Sequence, residues 1–260
     1  MRRSVLVFSS FLLFAPSLLL AWGDKKQGEF HDPTPAELAM KNVAFAPDAP
    51  AAVLEWLQYK DDVNFRSTEY VRIKVFKDEG KKYGDIELVY IPRLFSIRDL
   101  QARTIRPDGT VSTFNGKVYE KVIVKSGGFR VMAKTFSLPD VQPGCIIEYR
   151  YDQVAQTAAF VGYGTHFTVQ REIPIVKTNL WMRPMNRLTS FFTYRDLPAG
   201  VQPQKVDDHF ELELTNIQPF EKERYMLPDG ELKPEVSFYY MKGGIMLDQF
   251  WSIQADSWRR

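Results

Sequence analysis

From Val53 onward the apolar residues of this chain recur at every second position, in short runs cut by Asp, Gly and Pro, and that pattern restricts the fold more than any other feature of the sequence. In YVRIKVF, Val71, Ile73 and Val75 point one way while Arg72 and Lys74 point the other, as in a strand with one solvated face. KDEGKK then supplies Asp78 and Gly80. DIELVYI alternates again, with Ile86, Leu88 and Tyr90 opposed to Asp85, Glu87 and Val89, so the two runs read as a β-hairpin. ARTIRPDGTVSTF repeats the device around Pro107-Asp108-Gly109, where proline presets φ and glycine accepts a positive φ. VIVKSGGFRVMAKTFSL repeats it around Gly127-Gly128. HFTVQREIPIVKTNLWMRP, TSFFTYRD and DHFELELTNI are also strand-like, and long helical periodicity is absent after residue 60.

These runs predict an all-β fold, an antiparallel β-sandwich built of many short strands in two stacked sheets. One short N-terminal helix precedes them in PTPAELAMKN, with Thr34 as cap, Pro35 at the first helical position and Glu37 in the first turn. Spacing leaves open whether residues 51–242 form one wide sandwich or two β units dividing near residue 172.

The first 21 residues read as a secretory signal: Arg2 and Arg3, an apolar run from Val5 to Leu20 interrupted by Pro16, then the small Ala21. The run is short for a membrane span, so the expectation is cleavage, no stable span afterwards, and a periplasmic or secreted protein. Residues 22–50 are a leader carrying the short helix, polar and flexible over 22–34. Without Arg2 and Arg3, the 34 Lys+Arg fall to 32 against 32 Asp+Glu, so the mature charge is near zero and nothing suggests nucleic acid. The single cysteine excludes an intramolecular disulfide, so packing has to supply stability although the compartment would permit such a bond.

That cysteine, Cys145, follows the Pro143-Gly144 turn and alternates with Ile147, Tyr149 and Tyr151, opposite Ile146, Glu148 and Arg150. A catalytic thiol needs an adjacent base or a helix start to lower its pKa, and neither His31, His166 nor His209 stands in a local thiol-enzyme signature. Cys145 is expected to be a small buried side chain. No Cys/His spacing suggests zinc, no Asp/Asn/Gly loop suggests calcium, and the GYG at 162–164 lacks the following helix a phosphate loop needs, so no metal or cofactor is expected. The acids Glu221, Glu223 and Glu231 read as solubilising groups. Tyr149, Tyr151, Phe160 and Tyr163 are candidate rings for sugar or peptide contact, and Trp251 and Trp258 in the 243–260 tail are candidate contacts to a neighbouring domain.

Four segments carry a family resemblance: IPRLFSIRDLQARTIRPDGTVSTFNG, KTFSLPDVQPGCIIEYRYD, FTVQREIPIVKTNLWMRP and LTNIQPFEKERYMLP. Their order and spacing, over roughly residues 50–240, resemble the bacterial envelope family known as domain of unknown function 3857, with A-x-T-x-x-P-D-G followed by F-x-x-P-x-V-x-P-G-x-I-I-E-Y and Q-x-x-x-P-V/I. The resemblance implies a small residue at the Cys145 position. It also implies a place in front of a transglutaminase-like domain, whose own Cys, His and Asp would carry any thiol chemistry, with the tail leading toward that absent domain. The expected function is therefore an exported noncatalytic module that binds or positions a protein partner, a transglutaminase-like domain or another envelope protein. The alternatives are a carbohydrate- or peptide-binding module of the envelope, or a thiol hydrolase using Cys145.

Overall fold

The computed structural model describes residues 28–126, 129–156, 164–186, 188–222, 225–227, 229–242 and 245–246. The signal segment, most of the tail, and the candidate rings Phe160, Tyr163, Trp251 and Trp258 lie outside the described residues. Helix α1 (Pro35–Ala39) is followed by β1 (Ala51–Asp61), β2 (Arg66–Val75), a 3-10 helix (Asp78–Gly84), β3 (Asp85–Tyr90), β4 (Phe95–Ile105) and β5 (Val111–Thr113). Then come β6 (Tyr119–Ser126), β7 (Phe129–Ser137), β8 (Ile146–Ala155), β9 (Thr165–Thr168), β10 (Ile175–Arg183) and β11 (Thr189–Arg195). The chain continues through β12 (Gln204–Val206), β13 (His209–Ile217), α2 (Asp229–Leu232), β14 (Glu235–Lys242) and β15 (Ile245–Met246).

The all-β architecture follows the alternation. Eight strands form one wide sheet in the order β12-β13-β10-β1-β2-β8-β4-β5, so strands from both sides of residue 172 share one layer. Two smaller sheets stack on it: β3-β7-β6, and a second made of β11, β14, β15 and β9. The first contact buries Val53, Val71, Ile73, Ile147 and Tyr149 against Ile86, Leu88, Tyr90 and Phe136. The second buries Leu180, Met182, Phe210 and Leu212 against Phe167, Val236, Phe238 and Tyr240. Among the described strands every pairing is antiparallel except β1 with β10, which run parallel.

Two hairpins expected from turn residues are present. Gly109 takes φ +85 between the antiparallel β4 and β5, and β6 pairs with β7. The third differs: β3 pairs with β7, not with β2. KDEGKK does not reverse the chain within a sheet; it forms the 3-10 helix that carries the chain from the wide sheet to a small one. Gly80 is needed there, because a Cβ would sit 2.3 Å from the Pro50 carbonyl oxygen.

The solvated face expected for β2 is also absent, since Arg72 and Lys74 are both fully buried. The described part of the leader, from Gly28 on, covers them. It is fastened where the sequence suggested a helix: the Thr34 hydroxyl accepts from the Glu37 amide at 3.2 Å, and the Glu37 carboxylate accepts from the Thr34 amide at 2.7 Å. Leu38 and Met40 then pack on Leu54, Ile105 and Ile146. The leader is thus a third layer on the outer face of the wide sheet, and its polar composition reflects the ionic surface it meets.

Candidate functional site

That ionic surface is a closed set of charges. Arg72 donates to Glu148 at 2.8 Å and to both carboxylate oxygens of Glu37 at 3.0 and 3.3 Å. Arg103 reaches the other Glu148 oxygen at 2.5 Å, and both arginines donate to the His31 carbonyl oxygen. Tyr70 adds its hydroxyl to Glu148, and burial, helped by that carboxylate, raises the Tyr70 pKa far above the ordinary tyrosine value. Lys74 donates to the carbonyls of Leu38 and Gly144, and burial lowers its pKa. With its donors and acceptors paired internally, this cluster holds the leader down and offers no free group for chemistry.

On the inner face of the wide sheet a cleft of about 330 Å³ opens beside β9. Gln58, Lys60, Ser67, Glu69, Tyr151 and Gln153 line it, together with Phe95 and residues 164–167. Alternation puts these sheet residues on the face that elsewhere builds the core. Glu69 has the position of a general base, but both its oxygens are already engaged. One oxygen takes the Trp56 indole N–H at 2.9 Å and the Arg171 guanidinium at 2.6 Å; the other takes the Tyr151 hydroxyl. Arg171 also lies 4.0 Å from the Trp56 ring centroid, a cation–π contact that fixes its plane. Lys60 faces the buried Asp62 at 3.4 Å, whose carboxyl is pushed up by burial and which accepts from the Tyr240 hydroxyl. Gln58 donates to the Thr168 carbonyl, and Ser67 and Gln153 line the cleft beside it.

On the cleft rim His166, Ser237 and Glu235 meet in a group that resembles a catalytic triad in composition. Its geometry is different. Ser237 and Glu235 both approach the same ring nitrogen, Nδ1, at 2.9 and 3.1 Å, and the serine hydroxyl donates directly to the Glu235 carboxylate at 2.5 Å. A relay needs the serine on one imidazole nitrogen and the acid on the other, so that the ring can take the serine proton. Here serine and acid meet at the same nitrogen.

Cys145 is fully buried, and burial raises its thiol pKa against the smaller lowering effects of the Gln142 backbone and Lys74. The three histidines are engaged elsewhere: His31 with Glu55, His166 with Ser237 and Glu235, and His209 with Glu211 and Asp208. Of the rings singled out from the sequence, Tyr149 is buried in the core and Tyr151 is half-buried on Glu69. Among the described residues no group of His, Cys, Asp and Glu could hold a metal ion.

One aromatic group is not visible in the sequence. Tyr59, Trp181 and His209 stack across three strands, with centroids 4.2 and 4.5 Å apart and planes inclined by 14° and 27°. Tyr59 pairs in register with Trp181 across the parallel β1–β10 contact, and nothing local in either segment predicts that meeting. The rings lie face to face, so both faces of Trp181, the largest ring, are covered by its neighbours.

A profile of the family described as Domain of Unknown Function with solved structure, DUF3857, matches residues 61–221. Among solved structures, a candidate protease from Parabacteroides distasonis is similar with a TM-score of 0.59 at 14% identity. The match covers 73% of this chain and 40% of that one, so this chain spans well under half the length of that protein and the likeness is one of fold. Yeast LTA4 hydrolase in complex with bestatin covers 72% of this chain and 28% of its own at 7% identity, with a TM-score of 0.35 that carries no argument. No curated protein matches.

Proposed function

The chain belongs to the domain of unknown function 3857 family, and from that premise we propose that it is an exported, noncatalytic β-module that binds or positions a protein partner, a transglutaminase-like domain in the first instance. One observation carries this reading: Cys145, Glu69 and Ser237, the described groups most like a nucleophile or base, are each buried or engaged with structural partners. Cys145 is sealed, both Glu69 oxygens are engaged, and the Ser237 hydroxyl donates a hydrogen bond to Glu235. Export rests on the charged and apolar start of the chain. The Parabacteroides protein supports an accessory role in one respect, that more than half of it lies outside the shared fold.

The test is a titration of the purified chain against a purified transglutaminase-like domain taken from a two-domain family member. Saturable binding with a Kd in the range of about 1 mM or tighter is the expected result. Absence of binding removes the partner; amide or ester hydrolysis that scales with protein and disappears in Cys145→Ser overturns the noncatalytic reading. Peptide binding in the cleft is the second reading, favoured by its polar lining beside β9. Carbohydrate binding loses ground to it, because Tyr149 is buried and both faces of Trp181 are covered by Tyr59 and His209.

A further inference from the structure

The ends of the wide sheet are β12 and β5, three residues each, which is how natural sheets avoid leaving long unpaired edges. The terminal strand β6 of the small sheet breaks that economy. It is eight residues long, pairs among the described residues only with β7, and is exposed at every position. At about 3.3 Å per residue it presents roughly 26 Å of open edge. Its exposed side chains are not the polar set expected of a solvated strand: Tyr119, Val122, Ile123 and Val124 are 42–58% exposed, with Val89 of β3 at 54% on the same sheet.

The charges around this edge have one sign in excess. Lys121 pairs with Glu87, and Glu120 with the Tyr90 hydroxyl and Lys134. Lys125 and Arg130, directly opposite each other across the β6–β7 ladder, have no carboxylate partner among the described residues. Like charges facing each other on adjacent strands repel, and the arrangement costs stability unless an anion comes to lie over it. Lys117, over the Tyr119 ring at 5.1 Å, extends the cationic margin. The cationic excess of this edge acts against pairing with a second copy, which carries the same charges, and favours an acidic partner.

We propose that β6 is a docking edge for an extended segment of another protein in which acidic side chains alternate with apolar ones. The segment adds a strand to the β3-β7-β6 sheet through its backbone, with carboxylates on the face of Lys125 and Arg130 and apolar side chains on the opposite face beside Val124. The surface is separate from the cleft, and the proposal does not require the partner to be a transglutaminase-like domain.

The experiment is fluorescence anisotropy of a labelled peptide of alternating valine and glutamate, matched to β6 in length, titrated with the full chain. The peptide is expected to bind about tenfold tighter than its valine–lysine counterpart, to weaken with added salt, and to lose about tenfold in affinity to the double variant Lys125→Glu/Arg130→Glu. Those positions are exposed, so the variant tests charge without disturbing the core; Val124→Pro, checked for an unchanged melting curve, tests the backbone contact. Equal affinity for both peptides, or none for either, overturns the proposal. So does binding of phosphatidylglycerol vesicles with no peptide binding, which assigns the edge to a membrane surface, or a sedimenting dimer dissolved by Val124→Pro, which assigns it to a second copy.

Discussion

Arg72 and Glu148 are both fully buried, and the value of their contact lies less in its own strength than in what either ion would cost alone. Arg72→Met should leave Glu37 without its counter-charge and Glu148 with Arg103 alone, and lower stability by about 3–5 kcal/mol in urea denaturation. Lys121→Met breaks an exposed pair with Glu87 and should change it by less than about 1 kcal/mol. Glu37 adds a pH dependence. Burial alone would raise its carboxyl, but the Thr34 backbone and the Arg72 guanidinium outweigh that, and its folded pKa lies below the ordinary carboxylate value. A depressed acid contributes stability above its unfolded pKa of about 4.3 and loses it as pH falls through the folded value. The acid limb of the stability profile should therefore flatten in Glu37→Gln. Cys145 gives a separate readout: at pH 8 the folded chain should leave iodoacetamide unreacted and become labelled once denatured, because burial both blocks access and disfavours the thiolate.

At the scale of elements, the leader is the part whose behaviour its composition conceals. Thr34→Ala removes the reciprocal cap of α1, and the expected loss is about 1 kcal/mol, seen as a lower urea midpoint. The cap, the strand runs and the hairpins β4–β5 and β6–β7 were all legible, because each depends on residues a few positions apart. The alternation around Cys145 also placed it correctly with Ile147 and Tyr149. What could not be read is what covers a face. YVRIKVF alternates identically whether Arg72 meets water or a carboxylate brought from residue 37, and KDEGKK has the composition of a hairpin turn while serving as a crossing between layers. The Tyr59–Trp181 stack and the contact of Glu69 with Arg171 join residues far apart in the chain, so no local pattern carries them.

For the whole molecule the wide sheet is the unit of cooperation. Both cores rest on it, and Ile217 packs against each, so disturbing one should be felt in the other. Phe238→Ala, deep in the second core, is expected to cost about 3–5 kcal/mol. If the sheet couples the cores, hydrogen exchange should show amide protection in β8 of the first core falling together with that in β14. Protection in β8 that survives the loss of β14 would separate the molecule into independently opening halves.

The parallel seam between β1 and β10 also fixes an order of manufacture. A chain emerging N-terminus first can zip β1 to β2 at once, yet the other flank of β1 has no neighbour until Ile175–Arg183 has been delivered. Throughout that interval the middle of the future sheet is an open border, and any carrier that holds the half-made chain has to shield it until β10 arrives.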